Sequence, residues 1–422
     1  MGNVTQQLLQ FIDKGQTAYQ VVENISTILT QEGFEKIPEY DDWGLKPGGK
    51  YYVTRNGSAL IAFQIPIKEP QGFHIIATHG DSPCFKVKEN PEIIVEDNYV
   101  KLNVEKYGGM VMSSWLDRAL SVAGRVVIRE GDKLMEKNIA IDKDLAVIPN
   151  VAIHMNRDLN KGMEYNAQKD MCPLISMGQE KGGLLELIAE KMNISSKNIL
   201  GHDLFLYIRE KAKVVGAEEE FVVAPRLDDL QSVFASVTAL IKAASQNFIS
   251  VCAVFDNEEV GSSTRQGANS TFLTEVMEHL QEGLSITKQR YRKLLSNSFL
   301  LSADNAHAVH PNHPEYADPT NRPYLNKGLV IKYHGGQKYT TDGISAAKIK
   351  DICDKAGVPY QTYCNRSDIA GGSTLGNYVV TQVSIPSVDI GLPQLAMHSA
   401  VETAGALDTE YAIKAMHLFY EE

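Results

Sequence analysis

The sequence predicts an α/β fold: a doubly wound, mainly parallel sheet, interrupted by an inserted β-rich domain. Three observations predict it. After residue 220, apolar strand-like runs alternate with segments of helical period, the pattern of a parallel sheet covered by helices on both faces. Several of these runs stop abruptly at acids or histidines, and open α/β sheets bind ligands beyond the carboxyl ends of their strands. Residues 91–217 have a different texture, with short β-like pieces and a Gly- and Lys-rich patch. At 422 residues the chain exceeds what one core usually supports. The expected division is a discontinuous principal domain, 1–90 with 218–422, around an insertion at 91–217.

Taken in order, Leu8, Phe11, Val21, Val22, Ile25, Ile28 and Leu29 recur at helical spacing, so 4–32 forms one or two amphipathic helices. Residues 51–65, YYVTRNGSALIAFQI, form a hairpin about Asn56-Gly57, a dipeptide that suits the turn twisted strands require. Residues 73–78 form a short buried strand with His79, Gly80 and Asp81 at its exit. In the insertion, IIVEDNYVKLNV, RVVIRE and LFLYIRE read as strands, with a helix near 181–192. Past 220, FVVAPRLDDL leads into a helix carrying Val233, Phe234, Val237, Leu240 and Ile241. A strand at 250–255, one helix over 271–295 and strands ending at Leu301 and spanning 329–333 follow. Next come a helix at 343–356, YQTYC, a loop with Gly371, Gly372 and Gly376, the strand SVDIG and a final helix near 408–420.

Composition narrows the function. A formal charge of -11 and a pI near 5.5 exclude the basic face that nucleic acid needs. No apolar run approaches a membrane span, and no basic stretch followed by an apolar one marks a signal peptide. Five cysteines without C-x-x-C spacing suggest reduced thiols and a cytoplasmic protein, with Cys252 in the core.

The chemistry concentrates in VCAVFDNEEVGSSTRQG, 251–267, where an apolar strand ends in Asp256, Glu258 and Glu259. On an extended backbone, adjacent side chains point to opposite sides, so the two glutamates can hold different tasks in one site. A solvated turn is the plain alternative for such a pair. His79/Asp81, Asp304 and His398 also follow strands, and Asp228/Asp229 opens a helix. Singly, these read as an N-cap, a packed histidine or a loop acid. Five clusters at equivalent positions point to one shared edge. Two histidines with several carboxylates form a mixed N/O donor set suited to zinc, with manganese or cobalt tolerated. One carboxylate can bridge two ions. Asp81, two residues from His79, could orient its imidazole. His307, His310 and His313 have ligand-like spacing but sit in a loop, and read as structural or pocket-lining.

HGDSP (79–83), APRLDDL (224–230), DNEEVGS (256–262), SADNAHAVHPN (302–312) and QLAMHS (394–399) stand in this order along nearly the whole chain. Together they resemble the motifs of M18 aminopeptidases, the aspartyl aminopeptidase family of dinuclear zinc exopeptidases. The resemblance implies peptide substrates, two Zn2+ per subunit (Mn2+ or Co2+ as substitutes), and a β-rich insertion that makes homodimers building to a tetrahedral dodecamer. It implies metal ligation by His79, Asp228 as the bridge, Glu259, Asp304 and His398, with the partition of the last three between the ions left open. Glu258 would be the general base. His154, in VAIHMN, matches a histidine that reaches a neighbouring subunit's site; from the residues alone it reads as a domain-interface residue.

Lys332 lies in the apolar strand KGLVIKYH and either faces a cavity or is a solvated edge-strand lysine. It matches a lysine tied to acidic preference in aspartyl members of the family. The loop NRSDIAGGSTLG, with Arg366 as a second cation and Gly372 in its glycine run, shapes the same pocket; no Gly-Lys-Ser/Thr follows to make a phosphate loop. The expectation is release of N-terminal Asp or Glu. A broad or neutral preference, a carboxypeptidase or deacylase on a similar site, and a non-catalytic metal-stabilised scaffold are the alternatives.

Overall fold

The structure is a computed structural model that describes residues 2–178 and 183–422. It divides into two compact units. One comprises the chain through Asp81, Ala212–Met397 and Glu402–Glu422; the other comprises Ser82–Lys211 and His398–Val401.

The first unit is built on a sheet whose strands run in the order Glu35–Lys36, Lys50–Arg55, Ala59–Gln64, Phe248–Phe255, Gly72–His79, Phe299–Ala303, Ser387–Gly391, Leu329–Tyr333 and Tyr360–Cys364. The four strands from Phe248–Phe255 to Ser387–Gly391 are parallel to one another, whereas Leu329–Tyr333 runs antiparallel to its inner neighbour. Alternation along the strands feeds two cores. Ile76 and Cys252 pack on one face beneath helices Ala18–Gln31, Leu227–Lys242 and Asp408–Glu421. Ile75, Ala77, Val251 and Ala253 pack on the other with helix Phe272–Gly283. Such strands bury both faces, which is why they read as continuous apolar runs rather than alternating ones. Asn56 and Gly57 both take positive φ, as the hairpin turn demands.

Register sets the site. Phe255 pairs with His79, and Ser302 pairs with Ala77, so the next positions along the third strand bring Asp304 beside His79. Asp81, Glu258 and Asp304 thereby leave the sheet at one edge. A smaller sheet in the same unit joins Phe221–Ala224, Glu402–Gly405, Pro393–Leu395 and Ala306–His307.

The second unit carries an antiparallel sheet of Lys133–Ala140, Leu120–Glu130, Ile199–Ile208, Cys84–Val95, Tyr99–Tyr107 and Leu174–Met177. Phe85, Leu102, Trp115, Val122 and Leu204 form its core.

One expectation is corrected. The single helix over 271–295 is two, Phe272–Gly283 and Lys288–Ser296, because Ser285 takes positive φ and the Thr287 hydroxyl caps the second at Arg290 N–H. The helix expected near 181–192 is observed at Leu184–Met192, with 181 and 182 outside the described residues.

Candidate active site

His79 ends its strand fully buried. Its Nδ1 lies 3.1 Å from the Asp81 carbonyl oxygen and 3.5 Å from Asp81 Oδ1, and its Nε2 lies 3.5 Å from Asp228 Oδ1. With Nδ1 engaged by Asp81, Nε2 is the nitrogen left to face a ligand. The Asp81 carboxylate also accepts the backbone N–H groups of Glu258 and Glu259, each at 3.2 Å. One acid thus couples the imidazole to the glutamate pair.

The glutamates themselves correct an expectation. They lie not on extended chain but on a 3-10 turn, Glu258–Val260, entered through Asn257 and left through Gly261, both left-handed. Their side chains do not diverge: His79, Glu258 and Glu259 offer donor atoms within 4.8 Å of one another. His79, Asp228 and Asp304 form a second such group. Asp228 and Asp229 are not ordinary cap residues either. Arg226 enters the helix in the left-handed region, and both aspartates depart from helical backbone angles. Asp229 is buried as well, and its carboxylate accepts the His79 backbone N–H at 3.4 Å.

The electrostatics are those of carboxylates crowded out of water. Burial raises the Glu258 carboxyl to about 8, His79 opposes that rise, and Asp304, Asp81 and Asp228 add to it. Glu259 and Asp229 are pushed well above the carboxylate range, first by burial. Burial also raises Asp304, although Lys332 counteracts it. Burial would depress the imidazole of His79, but hydrogen bonds to Asp228 and Asp81 hold it well above its ordinary value. So much mutually repelling acid around one imidazole is what a divalent cation would relieve, and the oxygen-rich set with one imidazole nitrogen suits zinc, manganese or cobalt.

Lys332 is buried, not solvated. Its strand is covered by Tyr360–Cys364, and its Nζ lies 3.5 Å from Asp304 Oδ1 and 5.6 Å from the centre of the Tyr339 ring. Arg366 lies in the loop after Tyr360–Cys364. It is paired with Asp368 at 2.7 Å and bonded to the Glu315 carbonyl oxygen, on the rim of a cavity of about 580 Å³ with His334, Asp342 and Asn365. Gly372 is exposed in the same loop, and a Cβ there would meet nothing.

His398 and His154 belong to the second unit. His398 has positive φ, and its Nδ1 lies 2.9 Å from the Gly109 carbonyl oxygen. His154 is exposed in a loop with Val151, Ile153 and Met155, which are 43%, 45% and 84% exposed.

The model of the family described as aminopeptidase I zinc metalloprotease (M18) matches residues 11–420. The chain belongs to the M18 family of aminopeptidases. It is 45% identical over 423 residues to a probable M18 family aminopeptidase 2 of Clostridium novyi, covering 98% of each chain. A namesake in Pseudomonas aeruginosa is 39% identical over 427 residues, covering 99% of this chain and 98% of that one. Among solved structures, a chain in the cryo-EM structure of the Ape4 and Nbr1 complex superposes with a TM-score of 0.95 at 36% identity, over 99% of this chain and 85% of that one. The S. cerevisiae mApe1 dodecamer superposes at 0.86 and 26% identity, over 99% of this chain and 96% of that one.

This M18 chain is therefore a peptidase, and the buried edge is where its chemistry is best sought. Sequence reasoning missed two residues there. Asn305 follows Asp304 directly and Glu402 follows His398 by four positions; that adjacency was the only available signal. His313, by contrast, pairs with Glu315 at 3.1 Å among exposed residues, as a loop histidine would.

Proposed function

We propose that this protein is a metal-dependent aminopeptidase that removes acidic N-terminal residues from peptides. The overlapping donor groups around His79 carry the reading: Asp228 and Asp304 on one side, Glu258 and Glu259 on the other. His79, Asp228 shared between the two ions, Asp304, Glu259 and His398 would hold two Zn2+, or Mn2+ or Co2+ in their place. When bound, such ions supply Lewis acidity toward the peptide carbonyl and a lowered pKa for water.

The chain's own residues do the rest. Glu258 takes the proton of the attacking water and delivers it to the leaving amine. Asp81 orients the His79 ring and fixes the turn that aims Glu258. His154 from a second copy of the chain donates to the oxyanion that develops on the carbonyl. Its exposure, and that of its apolar neighbours, supports burial against such a copy, and a homodimer building to a dodecamer is the assembly we propose. Lys332 receives the substrate's acidic side chain, with the loop of Arg366 and Gly372 closing the pocket. Five cysteines outside any disulfide among the described residues support a cytoplasmic enzyme.

One observation favours a second reading, a broad or neutral preference: the Lys332 ammonium already faces Asp304. Hydrolysis of Asp-, Glu- and Leu-anilides, with and without chelator, decides between them. A non-catalytic scaffold would release none of the three.

A further inference from the structure

Behind Asp228 and Asp304 runs a chain of buried polar side chains that has no task in the reaction above. Glu402 accepts the Asp228 backbone N–H at Oε2 (3.0 Å) and the Gln394 amide at Oε1 (3.4 Å). Gln394 Oε1 in turn accepts from Asn305 Nδ2 at 2.9 Å. The same Asn305 amide reaches the Leu227 carbonyl oxygen at 2.9 Å and Gln231 Oε1 at 3.2 Å, while Ser232 donates to Asn305 Oδ1 at 3.1 Å. Glu402 and Asn305 are each 2% exposed, and Gln394 is 1% exposed.

The attachment points matter. Asn305 directly follows Asp304, and Leu227 directly precedes Asp228, so one amide ties together the chain segments that present both aspartates. Asp228 has a ψ of 107°, outside the helix that begins around it, so the helical ladder does not hold it. Glu402 holds it instead.

We propose that Asn305 and Glu402 are positioning residues that fix the separation of Asp228 and Asp304 for a divalent cation, an inference that rests on the metal reading above. Partners behind the ligands commonly change metal affinity by about 10- to 100-fold. The test is the Zn2+ affinity of stripped, full-length protein, by competition with a chromophoric chelator, alongside its melting temperature in chelator. Asn305→Ala and Glu402→Ala should bind Zn2+ about 10- to 100-fold more weakly. Ser236→Ala, which removes an equally buried hydroxyl bonded to the Val233 carbonyl oxygen, should bind like the parent. Should the alanine variants fail to fold, Glu402→Gln keeps the volume and an acceptor and should lose about tenfold, the lower end of that range. Parent affinity in the folded variants, whatever their stripped melting temperature, reduces the network to core filling and overturns the proposal. A parent protein that binds no Zn2+ overturns the metal reading itself, and this inference with it.

Discussion

Lys332 Nζ stands 3.5 Å from Asp304 Oδ1, with the two side chains only 4% and 11% exposed. A cation sealed beside a candidate metal ligand has two possible uses: it tempers the acid, or it waits for another one. Burial would lower the Lys332 pKa, and Asp304 beside it raises it.

Lys332→Met separates these uses. Loss of a charge-assisted contact to the substrate costs about 1.5–3 kcal/mol, so kcat/KM for Asp- and Glu-anilides should fall about 10- to 100-fold while Leu-anilide is little changed. An equal fall on all three substrates would assign Lys332 to Asp304 alone.

Glu258→Gln should keep the fold and the metal, and lower kcat by ~100- to 10,000-fold, the usual contribution of a positioned base. Metal content by elemental analysis and single-turnover rates check it together. Near-parent kcat would remove Glu258 from the role of base.

Stability should depend on pH in a direction set by the raised carboxyls. Glu258 titrates near 8 in the fold against an ordinary 4.5, so between those values the folded state binds more protons than the unfolded chain. Stability must then fall as pH rises through that window. His79, also raised, acts in the same direction. In chelator, the melting temperature should drop between pH 5 and pH 8, and saturating Zn2+ should flatten the trend. A chelated protein that grows more stable over that range would contradict the crowded-acid description.

His154→Phe should be nearly inactive with its metal retained. Co-assembled with Glu258→Gln, it should regain activity, because the subunit with intact Glu258 receives its histidine from the other variant. Mixtures no more active than their parts would place His154 outside any neighbouring site.

Much of this site was legible in the sequence because it follows from strand exits. Apolar runs that end in HGD, DNEE and AD mark one edge once the strands are known to be parallel, and register then brings His79 and Asp304 together. What was not legible depends on contacts across hundreds of positions. Nothing local in QLAMHSAVETAG says that Glu402 holds the backbone of Asp228. The 3-10 turn at Glu258 was hidden for another reason. Asn257 enters the left-handed region with its Oδ1 accepting from Thr264 and Gln266, so later residues shape the turn. Arg366 reads as a free cation by type, and only the fold reveals that Asp368 and Glu315 already engage it.

On the function proposed above, this buried edge is a metal centre serving a free N-terminus. Its most direct test is Zn2+ titration of stripped protein against one Asp-initiated peptide and its N-acetylated twin, with released aspartate as the readout. We predict no release without metal, release that saturates at two ions per chain for the free peptide, and none from the acetylated twin at any metal concentration. Release that is indifferent to chelator, or equal for the two peptides, would contradict it.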